Sequence, residues 1–156
     1  MLIIISGAPG TGKSTLAHRL ARSLGCPVIS RDEIREGIVH AGTPDPGLMH
    51  SYRTFVDTVS SLVAAGVTVI AEAAFQDGPW QPLLALGPTR VIRCVADPSA
   101  AANRVVVRAA HPGTPMGVRE WAPIAAPLPT LLVDTTTDYE PGFPEILAFA
   151  GRAPLE

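Results

Sequence analysis

The chain begins with an unbroken aliphatic run, Leu2-Ile3-Ile4-Ile5, that stops at glycine. No polar residue alternates within it, which predicts a strand buried on both faces, as in a parallel sheet. From Lys13 to Leu24 the apolar positions Leu16, Ala17, Leu20, Ala21 and Leu24 recur at helical spacing. Arg19, Arg22 and Ser23 fall between them, and Gly25 is the expected stop. A second short strand is predicted over Pro27–Ser30, followed by a charged helical turn over Arg31–Gly37. His40–Gly47 holds two prolines and two glycines and reads as a loop. Leu48–Ala65 returns to helical spacing through Phe55, Val56, Val59, Leu62 and Val63, and ends before Gly66.

Further along, Val67–Ala71 and Arg90–Ala96 predict a third and a fourth strand. The Phe75–Gly87 stretch between them is interrupted by proline and carries a short helix around Gln81–Leu86. Pro98–Ala110 reads as a helix with Asp97 near its start. His111–Pro129 contains five prolines and is expected to be irregular. Thr130–Val133 supplies a fifth strand and Pro144–Ala150 a last helix. Strands separated by helices predict an α/β fold, a parallel sheet with helices on both faces.

Composition narrows the functions available. The 156 residues suit a single domain, residues 1–156. With 47% hydrophobic and 17% charged residues, intrinsic disorder is excluded. A net charge of −2 gives no basic field for gripping a nucleic-acid duplex, so no duplex partner is expected. The apolar runs fall far short of the roughly 20 residues that cross a bilayer, so no membrane partner is expected either. Met1–Ser6 lacks a basic leader, and a cytoplasmic location follows as the default. Cys26 and Cys94 show no metal-like spacing and read as small apolar residues. Oligomeric state is left open.

One compositional detail carries chemistry. Of the twelve basic residues, eleven are arginine and one is lysine, Lys13. That lysine lies in Gly7-Ala8-Pro9-Gly10-Thr11-Gly12-Lys13-Ser14, which matches G-x-x-x-x-G-K-S between a buried strand and a helix start. With this composition a chance match is about one in a thousand, before strand and helix are required. In such a loop successive backbone N–H groups form an anion nest, backed by the helix N-terminus. Lys13 would reach the β- and γ-phosphates of ATP, the Ser14 hydroxyl would ligate Mg²⁺, and Thr15 would lie beside the α-phosphate. A phosphate loop alone does not separate a kinase from an ATPase or a nucleotide-binding regulator.

Three later features bear on that choice. Ser30-Arg31-Asp32-Glu33-Ile34-Arg35 follows the second strand, and open parallel sheets bind ligands beyond the carboxyl ends of their strands. There Asp32 either accepts a proton from an attacking hydroxyl or merely caps a helix. Arg35 either holds an anionic group of the acceptor or pairs with Glu36 or Asp32. The strand ending at Glu72 places a carboxylate where it can hold Mg²⁺ through water or orient a substrate, unless it faces solvent. Arg104 and Arg108, at i and i+4, either supply positive charge for phosphoryl transfer or form a solvated basic stripe. The Pro/Gly-rich His111–Gly117 beyond them would suit a lid, placed near residues 104–120. Val39–Arg53 and Phe75–Trp80 follow the second and third strands and would line an acceptor pocket. Tyr52, Phe75 and Trp80 would either stack on the acceptor or belong to the core.

Together these motifs resemble the small P-loop kinases of the polynucleotide kinase, zeta toxin and chloramphenicol phosphotransferase type, from Met1 to about Val133. Arg108-Ala-Ala-His111-Pro-Gly is similar to the Arg-His-Pro-Gly stretch of many uncharacterised bacterial kinases of this AAA-type group. The resemblance implies a three-layer, nucleoside monophosphate kinase-like fold with a five-stranded parallel sheet. It implies Asp32 as general base and, in the polynucleotide kinase branch, Arg35 on a substrate phosphate. Of the lid arginines, it implies one near the adenine and one on the phosphates, here Arg104 and Arg108. The guanine-selecting Asn-Lys-x-Asp is absent, which argues against a GTPase. The leading expectation is an ATP- and Mg²⁺-dependent kinase for a hydroxyl on a small molecule such as an antibiotic, nucleoside or sugar. The alternatives are a nucleotide or polynucleotide 5′-hydroxyl kinase and, from another class, a nucleotide-binding regulatory module or plain ATPase.

Overall fold

A computed structural model of the chain describes residues 1–45, 47–76, 78–108 and 120–151, with the side chains of Leu48 and Arg108 left out. The strands are β1 (Leu2–Gly7), β2 (Val28–Ser30), β3 (Val69–Glu72), β4 (Thr89–Val95) and β5 (Thr130–Asp134). The helices are α1 (Lys13–Leu24), α2 (Arg31–His40), α3 (Leu48–Ala64), α4 (Pro98–Arg108) and α5 (Phe143–Gly151). A 3-10 helix spans Gly78–Ala85 between β3 and β4. The strands form one sheet in the order β2-β3-β1-β4-β5, with every neighbouring pair parallel. The predicted five-stranded parallel α/β architecture is the observed one.

Alternation along β1 divides the core into two layers. Leu2 and Ile4 face Tyr52, Phe55 and Val59 of α3, together with Phe75, Trp80 and Leu83. Ile3 and Ile5 face Leu16, Ala17 and Leu20 of α1, together with Ile146 and Ala150 of α5. All four β1 residues are at most 1% exposed, which is why this strand reads as a continuous apolar run. The aromatic side chains Tyr52, Phe75 and Trp80 are buried, so the core alternative holds for all three. They form an edge-to-face series, with ring centroids 6.5 Å apart for Tyr52–Phe55, 5.9 Å for Phe55–Phe75 and 5.6 Å for Phe75–Trp80.

Cys94 is fully buried, and burial pushes its thiol up to about 12. Cys26 is half-buried, and burial likewise raises its pKa. Neither is a reactive thiolate at neutral pH. Among the described residues, no helix is long and apolar enough to cross a membrane. Central β1 delivers Gly7 to the carboxyl edge between Glu72 at the end of β3 and Cys94 on β4. That edge holds the site.

Candidate active site

The loop after β1 is shaped by glycine and tied by its own side chains. Gly10 has φ of 80°, and a Cβ there would run into the Ala101 carbonyl of α4 and come within 3.0 Å of Val105 Cγ2. Gly12 has φ of 75° at the N-cap of α1. Both positions therefore exclude an ordinary L-residue. The Thr11 hydroxyl donates to the Ala8 carbonyl at 2.7 Å, and Lys13 Nζ donates to the same oxygen at 3.0 Å. Lys13 is only 7% exposed, so its ammonium sits over the loop rather than in bulk water.

Opposite the start of α1 lies Glu72, 2% exposed, which excludes the solvent-facing alternative. Its Oε2 accepts from Ser14 Oγ at 3.3 Å and from Ser30 Oγ at 2.6 Å. Ser30 is paired in register with Glu72 and also caps α2, its Oγ accepting from the Glu33 N–H at 3.5 Å. A buried carboxylate beside a serine hydroxyl is an oxygen donor set of the kind Mg²⁺ takes together with phosphates and water. Ser14 and Glu72 fit that ion. Sequence reasoning missed Ser30; the one local signal was a serine directly before the acidic turn of α2.

Asp32 lies in the first turn of α2 with its side chain 56% exposed, and its Oδ1 is 3.3 Å from Arg31 Nε. Since Ser30 is the cap, Asp32 is free of that duty. Arg35 makes neither of the ion pairs considered for it. Its Nε donates to Asp45 Oδ2 at 3.0 Å, and its Nη2 donates to the same atom. Asp45 Oδ1 in turn accepts from the Gly47 N–H at 3.0 Å, so Arg35 fastens the loop before α3. Hydrogen bonds from Arg35, then from Gly47, hold the Asp45 carboxyl below its usual range. A carboxyl lowered by folding stabilises fully above its unfolded pKa, near pH 4, and that help is lost as pH falls through the folded value. The fastening is therefore intact at neutral pH.

At the other end of the loop, Arg104 is a clamp rather than a solvated stripe. Its Nη1 donates to the Gly10 carbonyl at 3.2 Å, and its Nη2 donates to the Thr135 carbonyl at 2.6 Å and the Thr136 carbonyl at 3.2 Å. Thr135 Oγ1 closes the circuit by donating to the Thr11 carbonyl at 2.8 Å. Beside this clamp opens a cleft of about 370 Å³ lined by Gly12, Thr15, Arg19, Arg104, Thr135 and Tyr139, among others. The Arg19 guanidinium lies 4.0 Å from the Phe143 ring centroid and 5.5 Å from that of Tyr139. A neighbouring depression of about 560 Å³ is lined by Asp97, Asp134, Asp138 and Glu140. Four carboxylates repel phosphates; the smaller cleft has only Asp138 of these, carries Arg19 and Arg104, and adjoins the loop through Gly12, so it is the nucleotide candidate. Arg19, Thr135 and Tyr139 carried no sequence signal. Thr135 lies 124 residues from its partner Thr11, and only the sheet brings them together.

Removing the clamp gives the first testable outcome. Arg104→Ala leaves carbonyls of two loops without a charged donor, an interaction worth about 1.5–3 kcal/mol. ATP affinity is expected to fall roughly 10- to 100-fold, with a smaller effect on turnover. Calorimetric titration of the variant with ATP checks this, and affinity equal to that of the parent would exclude a part for the clamp in nucleotide binding. Arg108 ends α4, but its side chain lies outside what the structure describes, as do residues 109–119 of the expected lid.

A family model described as an AAA domain matches residues 2–122. Uncharacterized proteins of Mycobacterium bovis and Mycobacterium tuberculosis are 31% identical over 127 residues, covering 69% of this chain. The chain spans about a quarter (26%) of the length of those curated relatives. Among solved structures, a "putative kinase" from Chloroflexus aurantiacus aligns with a TM-score of 0.72 at 26% identity, covering 95% of each chain. A sugar kinase from Janibacter sp. aligns at a TM-score of 0.65 and 16% identity, covering 98% of this chain and 95% of the other. A gluconokinase from Sinorhizobium meliloti aligns at 0.63 and 18%, covering 96% and 91%. The last two are similar in fold. The fold is a kinase-like P-loop fold.

Proposed function

The chain belongs to the AAA domain family, and on that premise we propose that it is an ATP- and Mg²⁺-dependent kinase acting on a hydroxyl group of a small molecule. The observation that carries this reading is the meeting of the phosphate loop with a buried carboxylate. Glu72 accepts from Ser14, next to Lys13, while Asp32 stands exposed two residues beyond the other serine that Glu72 holds. A plain phosphate-binding module has no need of a second carboxylate at the open end of the sheet. The resemblance to the polynucleotide kinase, zeta toxin and chloramphenicol phosphotransferase group supports a hydroxyl acceptor, and the sugar kinase and gluconokinase folds agree with a polyol.

In this mechanism the nest of loop N–H groups and Lys13 hold the β- and γ-phosphates, and the Arg104 cleft takes the base. Ser14 and Glu72 would hold Mg²⁺, which supplies neutralisation of the phosphate oxygens when bound. Asp32 takes the proton of the acceptor hydroxyl as its oxygen bonds to the γ-phosphorus. The bond from that phosphorus to the β,γ-bridging oxygen breaks, and ADP leaves. Arg35, engaged by Asp45, shapes the acceptor side by holding the loop before α3.

The test is transfer of label from γ-labelled ATP, with Mg²⁺, to a panel of sugars, sugar acids, alcohols, nucleosides and hydroxyl-bearing antibiotics. Label in an acceptor, with little free phosphate, is the expected result. Free phosphate released at the same rate with and without every acceptor would make the protein an ATPase instead.

A further inference from the structure

Among the described residues, Arg31 is a buried charged side chain that this mechanism leaves without a task. It follows Ser30 at the carboxyl end of β2 and precedes Asp32, yet its side chain is only 8% exposed. The guanidinium lies 5.0 Å from the centroid of the buried Tyr52 ring. Its Nε and Nη1 are both buried without a hydrogen-bond partner, although Nε is 3.3 Å from Asp32 Oδ1. Burying charge is costly unless the group is paired and hydrogen-bonded. Asp32 meets that need only in part, because its carboxylate turns largely to solvent. Asp45 feels the Arg31 charge, but both its oxygens are engaged, one by Arg35 and one by the Gly47 N–H. A guanidinium with two donor atoms unused is thus packed against an aromatic ring, beside the residue assigned as base.

We propose that Arg31 reads an oxyanion on the acceptor, a carboxylate or a phosphate ester, and so restricts the substrate to anionic hydroxy compounds. This rests on the kinase reading for the place of the acceptor, and it adds the acceptor's class. A guanidinium matches the oxygens of either group, and the Tyr52 ring backs it from one side. An acceptor seated by its anion at Arg31 brings its hydroxyl toward Asp32, the adjacent residue. Tyr52 therefore serves the acceptor indirectly, as the platform for Arg31 and not as a stacking surface.

Calorimetric titration with glycerol, glycerate and glycerol 3-phosphate, extended to aldonate and alditol pairs of up to six carbons, tests the proposal. The parent protein is expected to bind the anionic member of a pair about tenfold more tightly or better, the effect of a charged hydrogen-bonded pair. Comparison of glycerate with glycerol 3-phosphate then tells which oxyanion is preferred. Arg31→Met keeps the apolar stem on Tyr52 and is expected to lose the preference. Arg31→Lys keeps the charge without the fork and is expected to retain part of it. Equal or absent binding of both members by the parent, or an undiminished preference in either variant, overturns the proposal. Label transfer to neutral alcohols without anion preference would remove Arg31's role and leave the kinase standing. Anion preference lost in Arg31→Met, with no transfer to any acceptor, would do the reverse.

Discussion

Lys13→Met is expected to reduce phosphoryl transfer by about 10²–10³-fold, the usual effect of removing one preorganised donor from a developing charge. Methionine keeps the length and the apolar stem, and removes only the ammonium. No other lysine exists in the chain to replace it, and an arginine fork is too broad for the nest. The folded state should tolerate the change, because a nearly dry ammonium costs much of what its contacts return. The Ala8 carbonyl, which accepts from Lys13 Nζ at 3.0 Å, has a second donor in the Thr11 hydroxyl. Melting temperature without nucleotide is therefore expected to hold, while the rise on adding ATP shrinks, since ligand stabilisation follows affinity. Rates come from label transfer, and melting curves with and without ATP complete the test. Transfer above about a tenth of the parent rate would take Lys13 out of the chemistry.

The parts of this molecule legible in the sequence are those governed by local pattern. The aliphatic run and its glycine stop gave β1, and α1 begins and ends at Lys13 and Leu24, as its apolar spacing predicts. Boundaries moved where neighbouring elements compete for the same backbone groups. Val67, predicted to open β3, instead donates its N–H to the Leu62 carbonyl at 3.0 Å and closes α3, so the strand starts at Val69. Gly37 was the expected end of α2, but the helix runs on to His40 because its φ is not in the left-handed region that stops helices.

Site residues divide in the same way. Glu72 was visible as a carboxylate ending an apolar strand, whereas Ser30 became its partner only through the pairing of β2 with β3. The Arg35 bond to Asp45 depends on the path of a loop rich in proline and glycine, which no periodicity encodes. Arg31 was hidden for another reason. A charged residue in a polar turn is read as solvated, and its burial against Tyr52 depends on how α3 packs over α2.

Asp32→Asn separates a kinase from a nucleotide-binding module. The amide keeps the size of the carboxylate and its hydrogen-bonding reach but cannot take a proton, so general-base help of about 10²–10⁴-fold should vanish from turnover. ATP affinity should change little, because the Arg104 cleft and the loop nest lie on the other side of the reacting phosphorus. Stability should change little as well. Ser30 caps α2, so Asn at position 32 loses a charge–dipole interaction in the first turn, about 0.3–1 kcal/mol, and still turns an amide oxygen toward the buried Arg31. Its contact with Arg31 Nε at 3.3 Å is made by a side chain 56% exposed, where water screens the attraction. Label transfer to an accepted substrate, ATP titration and a melting curve on one preparation give the three readings. A large loss of transfer with unchanged ATP affinity and melting assigns the proton to Asp32. Transfer within about threefold of the parent would exclude it as the base. Glu72 is a poor substitute in that event, since its Oε2 already accepts from two serine hydroxyls, and the acceptor hydroxyl would then have to lose its proton to the γ-phosphate or to water.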